Sequence, residues 1–192
     1  MESNQQNEKA TWTALVISPP QDKWDQIQDI RKKFDKAYDR WMPHINICFP
    51  FVRPEKFNEF VQEFQKDFEN LEPFKITLNK FQHFDHGKKS VMYLEPETSD
   101  KQESIKNILK IILKKKPFLN DQNIKSENGF TPHLTCGQFG TANIEHEKQK
   151  FQKNWKPIEF KVEEVFLISR EGTENPFKVI QKLKLGCDEE DF

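Results

Sequence analysis

Hydrophobic positions along the chain alternate between short strand-like runs and helical stripes. Residues 11–18 (TWTALVIS) are apolar and β-rich and stop at Pro19-Pro20, which predicts a strand. Residues 22–38 are charged but carry Trp24, Ile27, Ile30 and Phe34 at helical spacing, which predicts an amphipathic helix. Ile45, Ile47 and Phe49 then alternate with His44, Asn46 and Cys48, the period of a strand. Pro54 opens a helix reaching about residue 71, with Phe57, Phe60, Val61, Phe64 and Phe68 as its buried stripe. Residues 74–84 and 90–94 read as strands joined by a polar loop, 83–89. Residues 97–116 read as a helix whose acidic start and Lys114-Lys115-Lys116 end suit its dipole. A loop over 117–129 leads to a second short strand at 130–139, then a helix at 143–155. Strands at 158–170 and 177–185, joined by a glycine-containing turn, complete the pattern.

That order repeats. Strand, helix, Pro-His strand, helix and strand occur once in 11–84 and again in 90–170, with His44 and His133 lying 89 residues apart. Few letters are shared, so the repeat lies in pattern more than identity. It predicts two similar lobes, each contributing one strand with the same polar face. The expected organisation is a flexible polar lead over 1–10, one domain of two lobes over 11–185, and an acidic tail over 186–192.

Composition narrows the class. The 192 residues are long enough to bury a real core. They include 18 Phe among 32% charged residues, with a mean hydropathy of −0.87, which argues for a folded core under a wet surface rather than disorder. A net charge of −1, from 30 Lys+Arg against 31 Asp+Glu, argues against general duplex binding, which needs many phosphate contacts. It leaves room for a small phosphate site. Three cysteines are too few for a disulfide scaffold. The polar first twelve residues have no signal-peptide pattern, and no apolar run approaches the roughly 20 residues of a membrane span. A cytoplasmic monomer without membrane contact is the expectation, with the nucleus left open.

The chemistry centres on Pro43-His44-Ile45-Asn46 and Pro132-His133-Leu134-Thr135. Residues i and i+2 of a strand share a face. Each segment therefore presents an imidazole beside a short hydrogen-bonding side chain, and the lobes can bring the two faces together across a cleft. With an unperturbed pKa of about 6.5, one histidine can be neutral and take a proton while the other is charged and gives one. Asn46 and Thr135 can donate to non-bridging phosphate oxygens. Either histidine alone would be an ordinary strand residue; the matched pair at equivalent places in a repeat carries the argument.

These segments, RWMPHINICFPFV (40–52) and FTPHLTCGQF (130–139), with HGKKSVMYLEPE (86–97), resemble the 2H phosphoesterases, the LigT-like or 2′-5′ RNA ligase-like superfamily. The resemblance covers most of 11–185 in element order. It implies an α+β, bilobal fold of two pseudo-symmetric, mostly antiparallel sheets with flanking helices around a central cleft. It also implies hydrolysis of 2′,3′-cyclic phosphates or related RNA-derived diesters, with His44 and His133 catalytic, Asn46 and Thr135 on the phosphate, and no cofactor or metal. Expected partners are an RNA end or a small cyclic nucleotide. The first motif has Asn46 where the family usually has Thr or Ser. The competing expectation is therefore a module that binds RNA ends or nucleotide phosphates with weak or no turnover. A third is a scaffold in which the motifs are only structural.

Other features compete less well. A zinc site would need His44, Cys48, His133 and Cys136 to converge, but His44 and Cys48 share strand parity while His133 and Cys136 do not. The cysteines read better as buried packing residues. His83, Asp85, His86, Lys88 and Lys89 read as a solvated loop, and His146 as an exposed helix residue. Among the flanking aromatics Trp41, Phe49, Phe51, Phe130 and Phe139, base stacking falls first to Phe139, on the His133 side of its strand if no bulge intervenes, and then to Phe51. Gly137 reads either as space for a ligand beside His133 or as a plain strand glycine.

Overall fold

The computed structural model describes residues 8–187; the expected lead over 1–7 and the acidic residues 188–192 lie outside it. Among the described residues, ten strands and five helices follow one another. The strands are β1 (Lys9–Ala10), β2 (Thr13–Ile17), β3 (Ile45–Cys48), β4 (Phe51–Val52), β5 (Phe74–His86), β6 (Lys89–Glu97), β7 (Leu134–Gly140), β8 (Ile158–Val162), β9 (Glu164–Ser169) and β10 (Lys178–Lys184). The helices are α1 (Asp25–Phe34), α2 (Phe57–Glu69), α3 (Glu103–Lys115), α4 (Asp121–Ile124) and α5 (Ile144–Asn154). The first two longer helices begin later than expected because a 3-10 turn precedes each, at Gln21–Lys23 and Pro54–Lys56.

Eight strands form one curled antiparallel sheet in the order β10-β9-β2-β3-β7-β6-β5-β8, and β1 pairs with β4 in a small second sheet. Lys9 and Ala10, expected in the flexible lead, are thus paired with Val52 and Phe51. The repeat predicts two lobes; the eight-stranded order is symmetric about the β3–β7 seam, but the halves interlock. β5, from the first repeat, pairs with β6 of the second, and β9, from the second, pairs with β2 of the first. The run 158–170 is not one strand. It breaks at Glu163, so that β8 lies against β5 and β9 against β2 on opposite halves of the sheet. The expected loop 83–89 shrinks to a two-residue hairpin turn, because Gly87 adopts φ +66° and lets the ladder close with His86 opposite Lys89.

Apolar side chains explain the layering. Phe57, Phe60, Phe64 and Phe68 of α2 and Ile105, Ile108, Leu109 and Ile112 of α3 are buried against one face of the sheet, sharing a core with Leu15, Ile45, Ile47, Leu94 and Leu134. A smaller cluster of Ala14, Val16, Ile168 and Phe177, with Trp41, Met42, Phe49 and Phe166 against it, forms separately from that core.

Both Pro-His strands carry the same irregularity. Asn46 pairs with Val16 and Cys48 with Leu15, leaving Ile47 extra; Thr135 pairs with Tyr93 and Gly137 with Met92, leaving Cys136 extra. These are β-bulges, which reverse the facing of every later residue. The consequence is the same on both strands: Ile47 and Cys48 are both buried, and so are Cys136 and Gly137. Gly137 leaves no room for a ligand. A Cβ there would stand 2.7 Å from the Phe34 Cβ and 3.0 Å from the Phe34 carbonyl oxygen, so its absence lets the end of α1 lie on β7.

A buried polar network fixes the approach to the first motif. Arg31, 1% exposed, pairs with Asp35 (2.8 Å), bonds Gln28 Oε1 (2.8 Å) and donates to the Trp41 carbonyl (2.8 Å). The second Asp35 oxygen accepts from the Ala37 amide (3.0 Å) and from Gln138 Nε2 on β7 (3.2 Å). Arg31→Ala strands a buried carboxylate and a carbonyl. It should cost about 3–5 kcal/mol in urea unfolding, and a loss below about 1 kcal/mol would show the network to be dispensable.

Candidate active site

The two polar segments meet at the centre of the sheet. Ile45 of β3 pairs with Leu134 of β7, and both side chains lie in the helix-side core. Carrying that antiparallel register one residue each way sets His44 opposite Thr135 and Asn46 opposite His133. Alternation turns all four away from the helices. The histidines occupy opposite corners of the resulting rectangle, a diagonal of about 7–8 Å. All four residues are half-buried, and the six-residue burial pattern of 43–48 repeats in 132–137.

Each imidazole is held in the same way. His44 Nδ1 lies 2.7 Å from the Met42 carbonyl oxygen, and His133 Nδ1 lies 2.7 Å from that of Thr131. A carbonyl only accepts, so both rings carry the Nδ1 proton and turn Nε2 outward as the free nitrogen. Trp41 stacks on His44 (4.4 Å between centroids, 20°). Phe84 and Tyr93 meet His133 edge-on, at 5.1 and 5.5 Å. Ser18 Oγ donates to the Pro43 carbonyl (2.7 Å), holding the chain ahead of His44.

Burial dominates the electrostatics. It pushes the His44 pKa down to about 4, aided by the charge of Arg31 and by His133, and opposed by the Met42 carbonyl and Asp35. It pushes His133 down to about 4 as well, opposed by the Thr131 carbonyl and aided by Lys125. Near neutral pH both rings are therefore neutral in the free protein, where the unperturbed value of 6.5 predicts a mixed pair. Asn46 adds an unmet demand: its Oδ1 is buried without a partner. A cleft of about 790 Å³ opens beside the second motif, with His133, Thr135, Phe84, Gln122, Lys125 and Gln138 on its wall.

The expected base platforms do not reach this cleft. Phe51 is 0% exposed and packs against Phe57 and Phe60 at 5.8 and 4.9 Å. The bulge at Cys136 turns Phe139 to the helix side, where its ring meets Phe34 at 4.9 Å and Phe151 at 6.2 Å; Gln138 takes its place on the cleft wall. The matching bulge sends Cys48 to the core beside Leu15, away from His44, and burial raises both the Cys48 and Cys136 thiols. Among the described residues no group of three or more His, Cys, Asp or Glu is placed to hold a metal. Phe130 is buried in the core, and Phe49 joins Trp41 in the smaller cluster. His83 and His86 belong to β5 rather than a loop, and both line the cleft; His83 also contacts Lys148 (3.2 Å) and Asp85 (3.5 Å). His146 is exposed on α5, as expected.

Sequence reasoning missed Phe84, Gln122 and Lys125 as cleft residues, and Tyr93 as the ring behind Phe84 and His133. Alternation carried from Phe74, Ile76 and Leu78 would put Phe84 on the core side; the register shift between Leu78 and Lys80 turns it to the cleft, where Tyr93 of β6 stacks on it. Gln122 and Lys125 sit in and just after the one-turn helix α4, inside a segment with no periodic signal.

Known proteins agree with this architecture. Residues 19–174 match the 2′-5′ RNA ligase superfamily. A Staphylococcus haemolyticus protein, provisionally named a phosphoesterase, is 26% identical over 180 residues, covering 90% of this chain and 98% of its own. Escherichia coli LigT complexed with 3′-AMP superposes with a TM-score of 0.58 at 15% identity, over 91% of this chain and 98% of LigT. Usb1 of Kluyveromyces marxianus, solved with uridine monophosphate, gives 0.50 at 11% identity, over 92% and 99%. The fold and the paired Pro-His strands thus define a two-histidine phosphoesterase architecture. The chain belongs to the 2′-5′ RNA ligase superfamily, the 2H phosphoesterases. No helix among the described residues is long and apolar enough to cross a membrane.

The depressed histidines link the site to stability. Below pH 6.5 the unfolded chain takes up protons that the folded site refuses until about pH 4. Stability should therefore be complete above pH 6.5 and fall as pH drops toward 4, by at most about 3 kcal/mol per histidine and less where solvent reaches the rings. Urea midpoints across this range should flatten in the His44→Gln, His133→Gln double variant. An unchanged slope would place the proton linkage elsewhere.

Proposed function

We propose that the chain is a metal-independent phosphodiesterase that opens 2′,3′-cyclic phosphates, or closely related diesters, at RNA ends. The observation that carries the reading is the matched pair of imidazoles, each pinned through Nδ1 to the carbonyl two residues before it, with Nε2 free. A neutral Nε2 is a lone pair in place to take the proton of an attacking water. The water oxygen bonds to phosphorus, the bond to one ribose oxygen breaks, and the other imidazole returns a proton to that oxygen. One water is consumed and a phosphomonoester remains. Which histidine takes which part follows from which oxygen leaves, and the two exchange roles in the reverse direction.

The low pKa of both rings sets a condition on the acid. An incoming phosphate anion raises the pKa of the imidazole it faces, so binding and protonation occur together. Thr135 Oγ1 donates to a non-bridging oxygen, and the Asn46 amide, turned to present its NH2, donates to another. Lys125, whose field already reaches His133, adds positive charge at the cleft wall.

Asn46 also supports the second reading, a binding module with little turnover, since a buried amide oxygen facing the phosphate would oppose it. The deciding assay uses an oligoribonucleotide ending in a 2′,3′-cyclic phosphate, in excess EDTA. Wild type should open the ring, and His44→Ala and His133→Ala should each lose about 10²–10⁴-fold in kcat with their folding intact. Asn46→Thr should then leave kcat within about tenfold. An inert wild type that still binds the phosphorylated end, and that Asn46→Thr activates, would establish the binding module instead.

A further inference from the structure

The cleft contains an unmet polar demand of its own, away from the histidine rectangle. Gln122 is 2% exposed, yet its Oε1 is buried without a hydrogen-bond partner, and the residue lines the 790 Å³ cleft that His133 and Thr135 share. A buried, unpaired amide oxygen is costly, and native structures seldom keep one without a use. The mounting is firm. The chain around Gln122 is tied by Lys9 to Asp121 (3.0 Å), by Asn123 to Asn120 (2.7 Å), and by the Phe130 amide to Asn123 Oδ1 (3.1 Å). On the same cleft wall Phe84 is stacked on Tyr93 (4.4 Å, 23°), which fixes its ring.

We propose that Gln122 is a specificity-determining residue that reads the edge of the nucleobase next to the scissile phosphate, with Phe84 of the same cleft as the aromatic surface. The inference rests on the phosphodiesterase reading and deepens it by naming what lies beyond the phosphate. A carboxamide sets an acceptor beside a donor. Its complement is an edge that sets a donor beside an acceptor, as adenine does with its amine and N7. A turn of the carboxamide that brings the stranded Oε1 to the cleft lets a base amine satisfy it. Aliphatic or purely anionic ligands leave it unmet. The base is thereby selected by a side chain on α4, outside both Pro-His strands, while Phe51 and Phe139 take no part.

The test removes one donor from the ligand and one amide from the protein. Two oligoribonucleotides are compared, ending in adenosine or in purine riboside, which lacks only the 6-amino group. Each is prepared both as the 2′,3′-cyclic phosphate, for kcat/KM, and as the 3′-phosphate, for affinity. Wild type should prefer adenosine by about tenfold in both readouts. Gln122→Met, similar in volume and without a polar atom to satisfy, should bring the ratio to within twofold in both readouts. Its thermal midpoint should equal or exceed that of wild type, because an unpaired buried amide contributes nothing to hold the fold. A clear drop in that midpoint would assign Gln122 a structural hydrogen bond and overturn the proposal, as would a wild-type ratio near one or a ratio that survives Gln122→Met. If the cyclic ends are not opened, the affinity ratio still decides the matter, so loss of the phosphodiesterase reading and loss of this one are read separately.

Discussion

The antiparallel pairing of β3 with β7 is the constraint on which the site depends. One bridge, Ile45 with Leu134, joins the two halves of the sheet. Both of its side chains are committed to the core, so the residues on either side of each must face the other way. That parity puts two imidazoles and two short polar side chains on one surface without any loop having to position them. A slip of one residue would bury His44 and His133 against the helices and turn Ile45 and Leu134 to the cleft, at a cost in apolar burial of several kcal/mol. The geometry of the site is therefore secured by the same hydrophobic contacts that secure the fold.

Two further devices hold that arrangement. The bulges at Ile47 and Cys136 interrupt the polar face just after Asn46 and Thr135: two consecutive residues of each strand turn to the core, and on β7 the cleft face resumes at Gln138. The interlocked topology, with β5 and β9 each pairing across to the other repeat, removes the option of two lobes folding apart. The Arg31–Asp35 pair then spans the seam. It grips the Trp41 carbonyl ahead of His44 and, through Gln138, the strand that carries Thr135. Trp41 lies in turn on the His44 ring, so the network's effect reaches the imidazole through a stacked contact.

Much of this was legible in the sequence because periodicity reports which side of an element is apolar. The repeat of Pro-His-apolar-polar, the phenylalanine stripe of α2 and the isoleucine stripe of α3 all read correctly. The unread parts are those where local pattern does not determine long-range pairing. Nothing in 158–170 marks Glu163 as the point where the chain leaves one half of the sheet for the other. A bulge adds one residue without a compositional signature, and it carried Phe139 and Cys48 to the opposite face from the one alternation predicts. Phe51 was misread for a different reason: it lies beyond the bulge in β4, paired with β1, where the α2 phenylalanines enclose it. Gln122 and Lys125 were invisible because α4 is one turn long and has no apolar stripe.

The histidine pKa values connect this structure to its chemistry. Burial makes both rings neutral at rest, and the carbonyls of Met42 and Thr131 choose the tautomer that leaves Nε2 free. The central claim is that two equivalent, Nδ1-protonated imidazoles wait for the charge of a phosphate before one becomes an acid. Imidazole nitrogen NMR on protein labelled with ¹⁵N-histidine, titrated from pH 4 to 8 with and without a nucleoside 3′-phosphate, tests it directly. The account predicts that His44 and His133 are both neutral at pH 7 with the proton on Nδ1, that both titrate near 4 in the free protein, and that one of them gains a proton when the phosphate binds. An Nε2-protonated ring, or a free-protein titration near the ordinary value of about 6.5, would contradict it.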